Sequence, residues 1–183
     1  EIFYPFGSKE IFSDRNWYFA RCRLSVKGLN ILTDALLQVI NRFSNAASKV
    51  LVLDCDNTLW GGIVGEDGLQ GIILGQDGMG TAYVDFQKEI VKLANNGIIV
   101  VLASKNNDKD VWEVFDKHSE MRLKREHIVT SKINWEEKAF NLQEVAKELD
   151  LGLDSFVFWD DNPLERDKMR NLLPQVLTVD VPN

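Results

Sequence analysis

The fold is decided by the stretch Leu51-Val52-Leu53-Asp54-Cys55-Asp56-Asn57-Thr58-Leu59-Trp60. Its apolar first part predicts a strand that is buried on both faces of a parallel sheet. The two aspartates that follow would then lie at the carboxyl end of that strand, where open α/β sheets place their ligand sites. Because two anions so close together repel each other, we expect a cation between them, and Mg2+ is the simplest cation with a preference for oxygen ligands.

The bulk composition narrows the class of protein. The chain has 183 residues, of which 45% are hydrophobic and 27% charged, and this suits one globular domain with an appendage. A net charge of -7 argues against nucleic acid and anionic membranes as partners. The sequence has no membrane-spanning run, no signal-peptide pattern and no disulfide framework, so we expect a cytoplasmic protein.

The pattern of apolar residues predicts two parts of the chain. Residues 1–48 are predicted to form an aromatic-rich extension and a helix, either packed on the following core or belonging to the tail of a further domain. Residues 49–183 alternate strands and helices, which predicts a three-layer αβα Rossmann-like domain with a mostly parallel sheet. Short apolar pairs between the glycines of residues 61–75 predict a small β-hairpin flap. Asn134 and Glu137 resemble a capping box at the start of a later helix.

Polar clusters follow three of the predicted strands, and the carboxyl ends of parallel strands meet at one edge of a sheet. A lysine lies in the first turn of a later helix, where a cation is unfavourable unless an anion is its partner. The set suits phosphoryl transfer: one carboxylate attacks phosphorus, a metal bridges oxygens, a hydroxyl and an ammonium hold the phosphate, and a second carboxylate moves the proton. The residues are Asp54 and Asp56, Ser104 and Lys105, Asp160 and Asp161, and Lys138.

The stretch from Asp54 to Thr58 resembles the first motif of the haloacid dehalogenase (HAD) superfamily of phosphatases, and the three later motifs follow in order. The segments Asn57-Thr58-Leu59-Trp60-Gly61-Gly62, Ser104-Lys105-Asn106-Asn107 and Asp160-Asp161-Asn162-Pro163 resemble the FkbH-like branch of that superfamily. Members of this branch convert 1,3-bisphosphoglycerate to a glyceryl thioester on an acyl carrier protein. The resemblance implies the same Mg2+-dependent reaction and the same carrier partner here.

The resemblance also implies a role for each matching residue. Asp54 is the nucleophile and a metal ligand, and Asp56 is the general acid/base with its backbone carbonyl on Mg2+. Ser104 and Lys138 hold the phosphoryl group. Asp160 completes the metal site, and Asp161 is an additional or water-mediated ligand.

For several other residues near these motifs, the sequence leaves two roles open. Thr58 either contacts substrate or orients the first motif loop, and Lys105 and Asn106 either contact substrate or cap and solvate the next helix. Cys55 is a candidate acyl acceptor, although a buried structural cysteine is the favoured interpretation. Trp60 either shapes the pocket floor or anchors the flap, and Trp135 is interpreted as core packing.

The intervals between the motifs are too short for a large cap domain. We therefore expect an open site, which suits a macromolecular partner such as a carrier protein. A simple Mg2+-dependent phosphatase for a small metabolite or a phosphoprotein is the alternative, and a non-catalytic interaction domain is the third hypothesis.

Overall fold

A computed structural model describes residues 8–44, 48–76 and 78–181. The chain divides into two compact units, residues 1–47 and 48–183, and each is described here by itself. Among the described residues, no helix has both the length and the apolar character needed to cross a membrane.

The first unit is helical. It contains α1 (Ser8–Ile11), α2 (Asp14–Ala20) and α3 (Val26–Ser44). Ser13 caps α2 by accepting a hydrogen bond from the backbone N–H of Asn16, and this satisfies one of the free donors of the first turn. The predicted helix of residues 30–43 is present and starts four residues earlier. The aromatic residues predicted to pack at positions 3–6 lie outside the described residues.

The second unit is built on a five-stranded sheet in the order β3-β2-β1-β4-β5, in which every pairing is parallel. This confirms the predicted α/β class. The strands are β1 (Val50–Leu53), β2 (Ile99–Ser104), β3 (Ile128–Ile133), β4 (Phe156–Trp159) and β5 (Leu177–Thr178). The helices are α4 (Val64–Gly71), α5 (Gly80–Asn95), α6 (Asp108–Lys117), α7 (Lys138–Leu149) and α8 (Pro163–Leu172).

The central strand β1 explains the apolar run of the opening stretch, because all four of its residues are buried. Leu51 and Leu53 pack on one face of the sheet with residues of α5 and α6. Val50 and Val52 pack on the other face with residues of α7 and α8. The sheet is therefore the middle of three layers, and a strand covered on both sides has no polar face to display.

Strand register aligns the site. Leu53 pairs with Leu102 on one side and with Trp159 on the other. Asp54 therefore leaves the sheet at the same level as Asp160, and its backbone N–H donates to the carbonyl of Trp159 at 3.1 Å. The polar residues after β1, β2 and β4 share one edge of the sheet, as the sequence predicts.

The predicted hairpin flap is wrong in its main element. Helix α4 occupies most of residues 61–75, and only Gly61 and Ile73 form an antiparallel bridge, with mutual backbone hydrogen bonds of 2.9 and 2.8 Å. Two carboxylates hold the helix start: Asp56, which precedes the helix, accepts from the N–H of Val64, and Asp67, within its first turn, accepts from that of Ile63. The glycines of this segment have a low intrinsic propensity for helix, and these hydrogen bonds stabilise the helix enough to outweigh it.

The predicted capping box at Asn134 and Glu137 is also wrong. Helix α7 begins at Lys138 with Glu137 as its N-cap residue, and the Glu137 side chain makes no capping hydrogen bond. Asn134 instead accepts from the N–H of Glu136 and exchanges amide hydrogen bonds with Asn141. The Glu137 carboxylate is paired instead with Lys105 and Lys168, whereas Asn134 bonds to residues at the start of α7 without forming the box.

Candidate active site

A buried lysine joins the ends of two neighbouring strands. Lys138 is the first residue of α7, and its Nζ lies 3.0 Å from Asp54 Oδ1 and 2.6 Å from Asp160 Oδ2. Only 4% of the Lys138 side chain is exposed. Burial lowers the pKa of its ammonium, but the two carboxylates outweigh burial and hold that pKa above its ordinary value. Lys138 is therefore charged, and its position at a helix N-terminus is explained by these two anions.

Three carboxylates form a cluster beside this lysine. Asp54, Asp160 and Asp161 each offer an oxygen, and the three oxygens lie within 4.8 Å of one another. Burial first, and then the charges of Asp54 and Asp160, raise the pKa of Asp161 to about 6. Burial likewise raises the pKa of Asp160, against the opposing effect of Lys138. A cation bound at this cluster would relieve the repulsion between the carboxylates, which contributes to these raised pKa values.

These residues fit Mg2+. The buried Oδ1 of Asp54 accepts no hydrogen bond from any described residue, although Lys138 Nζ is close to it. Together with the carboxylates of Asp160 and Asp161, this oxygen makes up a set of hard oxygen donors, which Mg2+ prefers as ligands. The predicted metal-binding role of Asp56 concerns its backbone carbonyl, and its carboxylate is not part of this cluster.

The Asp56 carboxylate is fixed by three donors. Its Oδ1 accepts from Trp60 Nε1 at 2.8 Å and from the backbone N–H of Val64 at 3.1 Å, and its Oδ2 accepts from Asn106 Nδ2 at 2.8 Å. Burial nevertheless raises the pKa of Asp56 above its ordinary value. An oriented carboxyl with a raised pKa suits a group that gives and takes a proton.

The loop between Asp56 and α4 is held by a left-handed turn. Asn57 has a φ of 52°, and its side-chain oxygen accepts from the N–H of Gly62 at 2.8 Å. Gly62 has a φ of 91°, and a Cβ on this residue would lie 2.6 Å from Asp67 Oδ2. A side chain at position 62 would therefore disturb the start of α4 and the Val64 donor to Asp56.

An open cavity of about 300 Å³ lies over these groups. Among the predicted site residues it exposes Asp54, Asp56, Ser104, Lys105, Lys138 and Asp161. Asp160 and Asn106 lie behind this lining and touch Lys138 and Asp56, respectively. The structure therefore brings eight of the predicted residues into one site.

Two predicted substrate-binding residues do not line the cavity. Cys55 is fully buried, and burial first, then the charge of Asp54, raises the pKa of its thiol well above the usual range. Thr58 borders a neighbouring cavity of about 260 Å³, and its buried hydroxyl has no hydrogen-bond partner among the described residues. The structure thus favours the structural reading of Cys55.

Sequence reasoning missed part of the cavity wall. Trp135 was expected in the core, but 70% of it is exposed and it lines the cavity, which makes that prediction wrong. Its position in the loop between β3 and α7, at the carboxyl edge of the sheet, is the signal that could have found it. The other missed lining residues are Asn57, Ile63, Glu66, Asn162 and Glu165.

Comparison with solved structures found proteins of similar fold. The chain is similar to the N-terminal part of a Bacteroides fragilis protein that contains a phosphatase domain and was solved in complex with Mg, with 37% identity and a TM-score of 0.79. That match covers 99% of this chain and 48% of the other, so the chain spans about half the length of this relative.

A second structure shows the fold alone. It is an aspartate-to-alanine mutant of a HAD family enzyme from Bacteroides thetaiotaomicron, in complex with magnesium and inorganic phosphate. The identity is 14% and the TM-score 0.50, and the match covers 73% of this chain and 94% of the other. No protein-family profile and no curated protein matches the sequence.

The sheet order, the site at its carboxyl edge and these neighbours establish that the chain has the HAD-superfamily fold. They show the fold and do not single out an FkbH-like branch.

Proposed function

We propose that this chain is a Mg2+-dependent phosphoryl-transfer enzyme in which Asp54 is the nucleophile. One observation carries this proposal. The Lys138 ammonium bridges Asp54 and Asp160 inside a cluster of three carboxylates, beneath an open cavity that Ser104 also lines. This arrangement supports the assignment of a metal site, a phosphate-holding cation and an acceptor carboxylate to one place in the fold.

The residues divide the reaction between them. A carboxylate oxygen of Asp54 attacks phosphorus, the bond from phosphorus to the leaving oxygen breaks, and an aspartyl-phosphate forms on Asp54. Asp56, in its protonated form, gives a proton to the leaving oxygen, and it then takes one from the water that hydrolyses the aspartyl-phosphate. Lys138 and the Ser104 hydroxyl hold the phosphoryl oxygens. Mg2+ held by Asp54, Asp160 and Asp161 would neutralise negative charge on the phosphoryl group.

The finer proposal is an FkbH-like activity, in which the substrate is 1,3-bisphosphoglycerate and the glyceryl unit is loaded onto an acyl carrier protein. The motif sequences support it, and so does the open site. In the described part of the chain, only α4 lies between β1 and α5, and only α6, a short 3-10 helix (Arg125–His127) and β3 separate β2 from α7. Neither interval holds a cap domain, so a large partner can reach the cavity. Residues 49–183 would then form the catalytic domain, and residues 1–48 an extension to it.

A simple Mg2+-dependent phosphatase is the second candidate, and one observation favours it. Cys55 is fully buried, and no cysteine is among the residues that line the cavity. A glyceryl thioester would then have to form directly on the thiol of the carrier. Plain hydrolysis needs no thiol.

Two measurements test these proposals. Turnover of an aryl phosphate should require Mg2+ and should be lost in Asp54→Asn; full activity of that variant would remove Asp54 as the nucleophile. No turnover by the unmodified protein would favour a non-catalytic interaction domain.

The second measurement separates transfer from hydrolysis. The protein is incubated with a system that generates 1,3-bisphosphoglycerate and with a holo carrier protein, and both proteins are weighed by mass spectrometry. A glyceryl adduct on the carrier supports the FkbH-like reaction, and free phosphate without an adduct supports the phosphatase. The burial of Cys55 predicts the same adduct yield in Cys55→Ala.

A further inference from the structure

A buried arginine holds the backbone of the two aspartates that follow β4. Arg166 lies near the start of α8, and its Nη1 donates to the backbone carbonyl of Asp160 at 2.8 Å and to that of Asp161 at 2.6 Å. One guanidinium nitrogen carries two hydrogens, so it can serve both carbonyls. The loop between β4 and α8 is therefore tied to the helix that follows it.

This contact continues the hydrogen bonding of the sheet beyond the end of β4. The backbone N–H of Asp54 donates to the carbonyl of Trp159, the last residue of that strand. The next two carbonyls, those of Asp160 and Asp161, lie beyond the strand pairing, and Arg166 binds both of them. The backbone that carries two of the three clustered carboxylates is thus fixed by one side chain.

The carboxylates of these two aspartates depend on Arg166 to different degrees. The Asp160 carboxylate is also held directly, because its Oδ1 accepts from the N–H of Asn162 at 2.9 Å and its Oδ2 from Lys138 Nζ at 2.6 Å. The Asp161 carboxylate accepts no hydrogen bond from any residue that the structure describes. The direction in which Asp161 points is therefore set by its backbone, which Arg166 holds.

Stability alone does not explain Arg166. Only 8% of the residue is exposed, and its Nε is buried without a hydrogen-bond partner in the described part of the chain. Its guanidinium also forms no ion pair with a described residue. A buried charge with an unsatisfied donor and no carboxylate partner costs free energy, which a packed apolar side chain would avoid. Local arrangements that cost stability are expected at functional sites.

We propose that Arg166 is a positioning residue for the metal site, which holds the backbone of Asp160 and Asp161 so that the Asp161 carboxylate faces Asp54. Arg166 does not line the cavity, so it acts through these aspartates and not on the substrate. The proposal rests on the proposed Mg2+ site and adds a residue that orients its ligands. Removing such a residue typically weakens metal binding by about ten- to a hundredfold.

Calorimetric titration with Mg2+ and with Ca2+ tests the proposal in the unmodified protein and in Arg166→Met. Mg2+ demands nearly ideal octahedral geometry, whereas Ca2+ accepts flexible arrangements of oxygen ligands. The Kd for Mg2+ should therefore rise by about tenfold or more, and the Kd for Ca2+ by less than about threefold. Partial unfolding of the variant would lower the number of sites per chain, which the titration reports separately from the affinity.

Arg166→Lys keeps the proposal testable if Arg166→Met does not fold. This variant retains the charge but not the planar guanidinium, so it should lose less affinity than Arg166→Met and still lose more for Mg2+ than for Ca2+. Arg170→Met is the matched control, because it removes an arginine from the next turn of α8 that pairs with Asp167 and Asp180. Both of its Kd values should equal those of the unmodified protein.

A double-mutant cycle asks whether Arg166 acts through Asp161. In the Asp161→Asn background, Arg166→Met should raise the Kd for Mg2+ by less than about twofold, because the carboxylate that it orients is already absent. The full loss in that background, or equal losses for Mg2+ and Ca2+ in the single variant, would overturn the positioning role.

The same titrations separate this role from the proposed function. An unmodified protein that binds no Mg2+ would remove the metal site and the positioning role together. Mg2+ binding that Arg166→Met leaves unchanged would remove the positioning role alone. The predicted losses of affinity in a protein that does not turn over aryl phosphate would remove the proposed chemistry and leave Arg166 as a residue that orients the metal ligands.

Discussion

The ammonium of Lys138 lies 3.0 Å from Oδ1 of Asp54, a buried oxygen that accepts no hydrogen bond from any described residue. The contact therefore compensates the charge of the Asp54 carboxylate. It also makes the stability of the metal-free protein depend on one lysine.

Lys138→Met should destabilise the metal-free protein by about 3–5 kcal/mol, because removing one partner of a buried ion pair leaves uncompensated buried charges. Chemical denaturation in the presence of a chelator measures this loss. Added Mg2+ should recover part of it, since a cation bound by Asp54 and Asp160 replaces the missing positive charge. Lys132→Met is the matched control, because Lys132 pairs with the more exposed Glu144 and Glu148 and its loss should cost less than about 1 kcal/mol. Equal losses in the two variants would contradict the bridging role of Lys138.

Asn106→Ala should lower kcat by about tenfold while KM changes little. Asn106 donates to Asp56 Oδ2 at 2.8 Å, so its loss frees the proposed acid/base carboxyl to leave its catalytic orientation. Steady-state kinetics with an aryl phosphate measures both constants. Asn107→Ala removes the same side chain one residue later, where it donates to Asp110 rather than to Asp56, and it should retain most of its kcat. A change confined to KM would show that Asn106 binds substrate instead.

The strands and the site edge could be predicted because they depend on local sequence. An apolar run such as Val50–Leu53 can be buried on both faces only in a covered sheet, and parallel strands bring residues such as Asp54 and Asp160 to one edge. Helix α4 could not be predicted in this way. Its glycine-rich sequence disfavours a helix, and the Asp56 carboxylate that caps it is eight residues away.

The errors at the cavity wall have a related cause. Trp135 has the composition of a core residue, and only its place in a loop at the carboxyl edge explains why it is exposed. Glu137 has the sequence position of a helix cap but is paired with Lys105, which lies 32 residues earlier. A pairing over that distance follows from the order of strands in the sheet, which local patterns do not contain.

Gly62→Ala should destabilise the protein by at least about 1–2 kcal/mol, because a left-handed conformation is unfavourable for any residue with a Cβ. The clash with Asp67 Oδ2 at 2.6 Å adds to this cost. Chemical denaturation measures it, and Gly75→Ala is the control, since a Cβ there meets no atom within 4 Å and its φ is not in the left-handed region. Activity should fall together with stability, because the loop also carries the Val64 donor to Asp56. Equal stability of the two variants would show that the turn at Gly62 relaxes freely.

Asp161→Asn should have opposite effects on the metal-free protein and on the Mg2+ complex. Burial and the charges of Asp54 and Asp160 raise the pKa of Asp161 to about 6. The folded protein therefore binds the Asp161 proton more tightly than the unfolded chain does. Stability contributed by this proton is present below the ordinary value of 3.8 and is lost as pH rises to about 6. Above pH 6 the neutral asparagine should therefore make the metal-free protein more stable than the aspartate does.

The same substitution removes a carboxylate from the proposed metal site, so the rise in melting temperature on adding Mg2+ should shrink. Thermal denaturation at pH 7.5, with a chelator and then with Mg2+, measures both effects, and denaturation at pH 4 should abolish the advantage of asparagine. Asp150→Asn is the charge-matched control, because Asp150 is an exposed helix C-cap with a φ of 53°, which asparagine tolerates. A variant that loses stability without metal, or that keeps the full response to Mg2+, would show that Asp161 is not part of a repelling, metal-binding cluster.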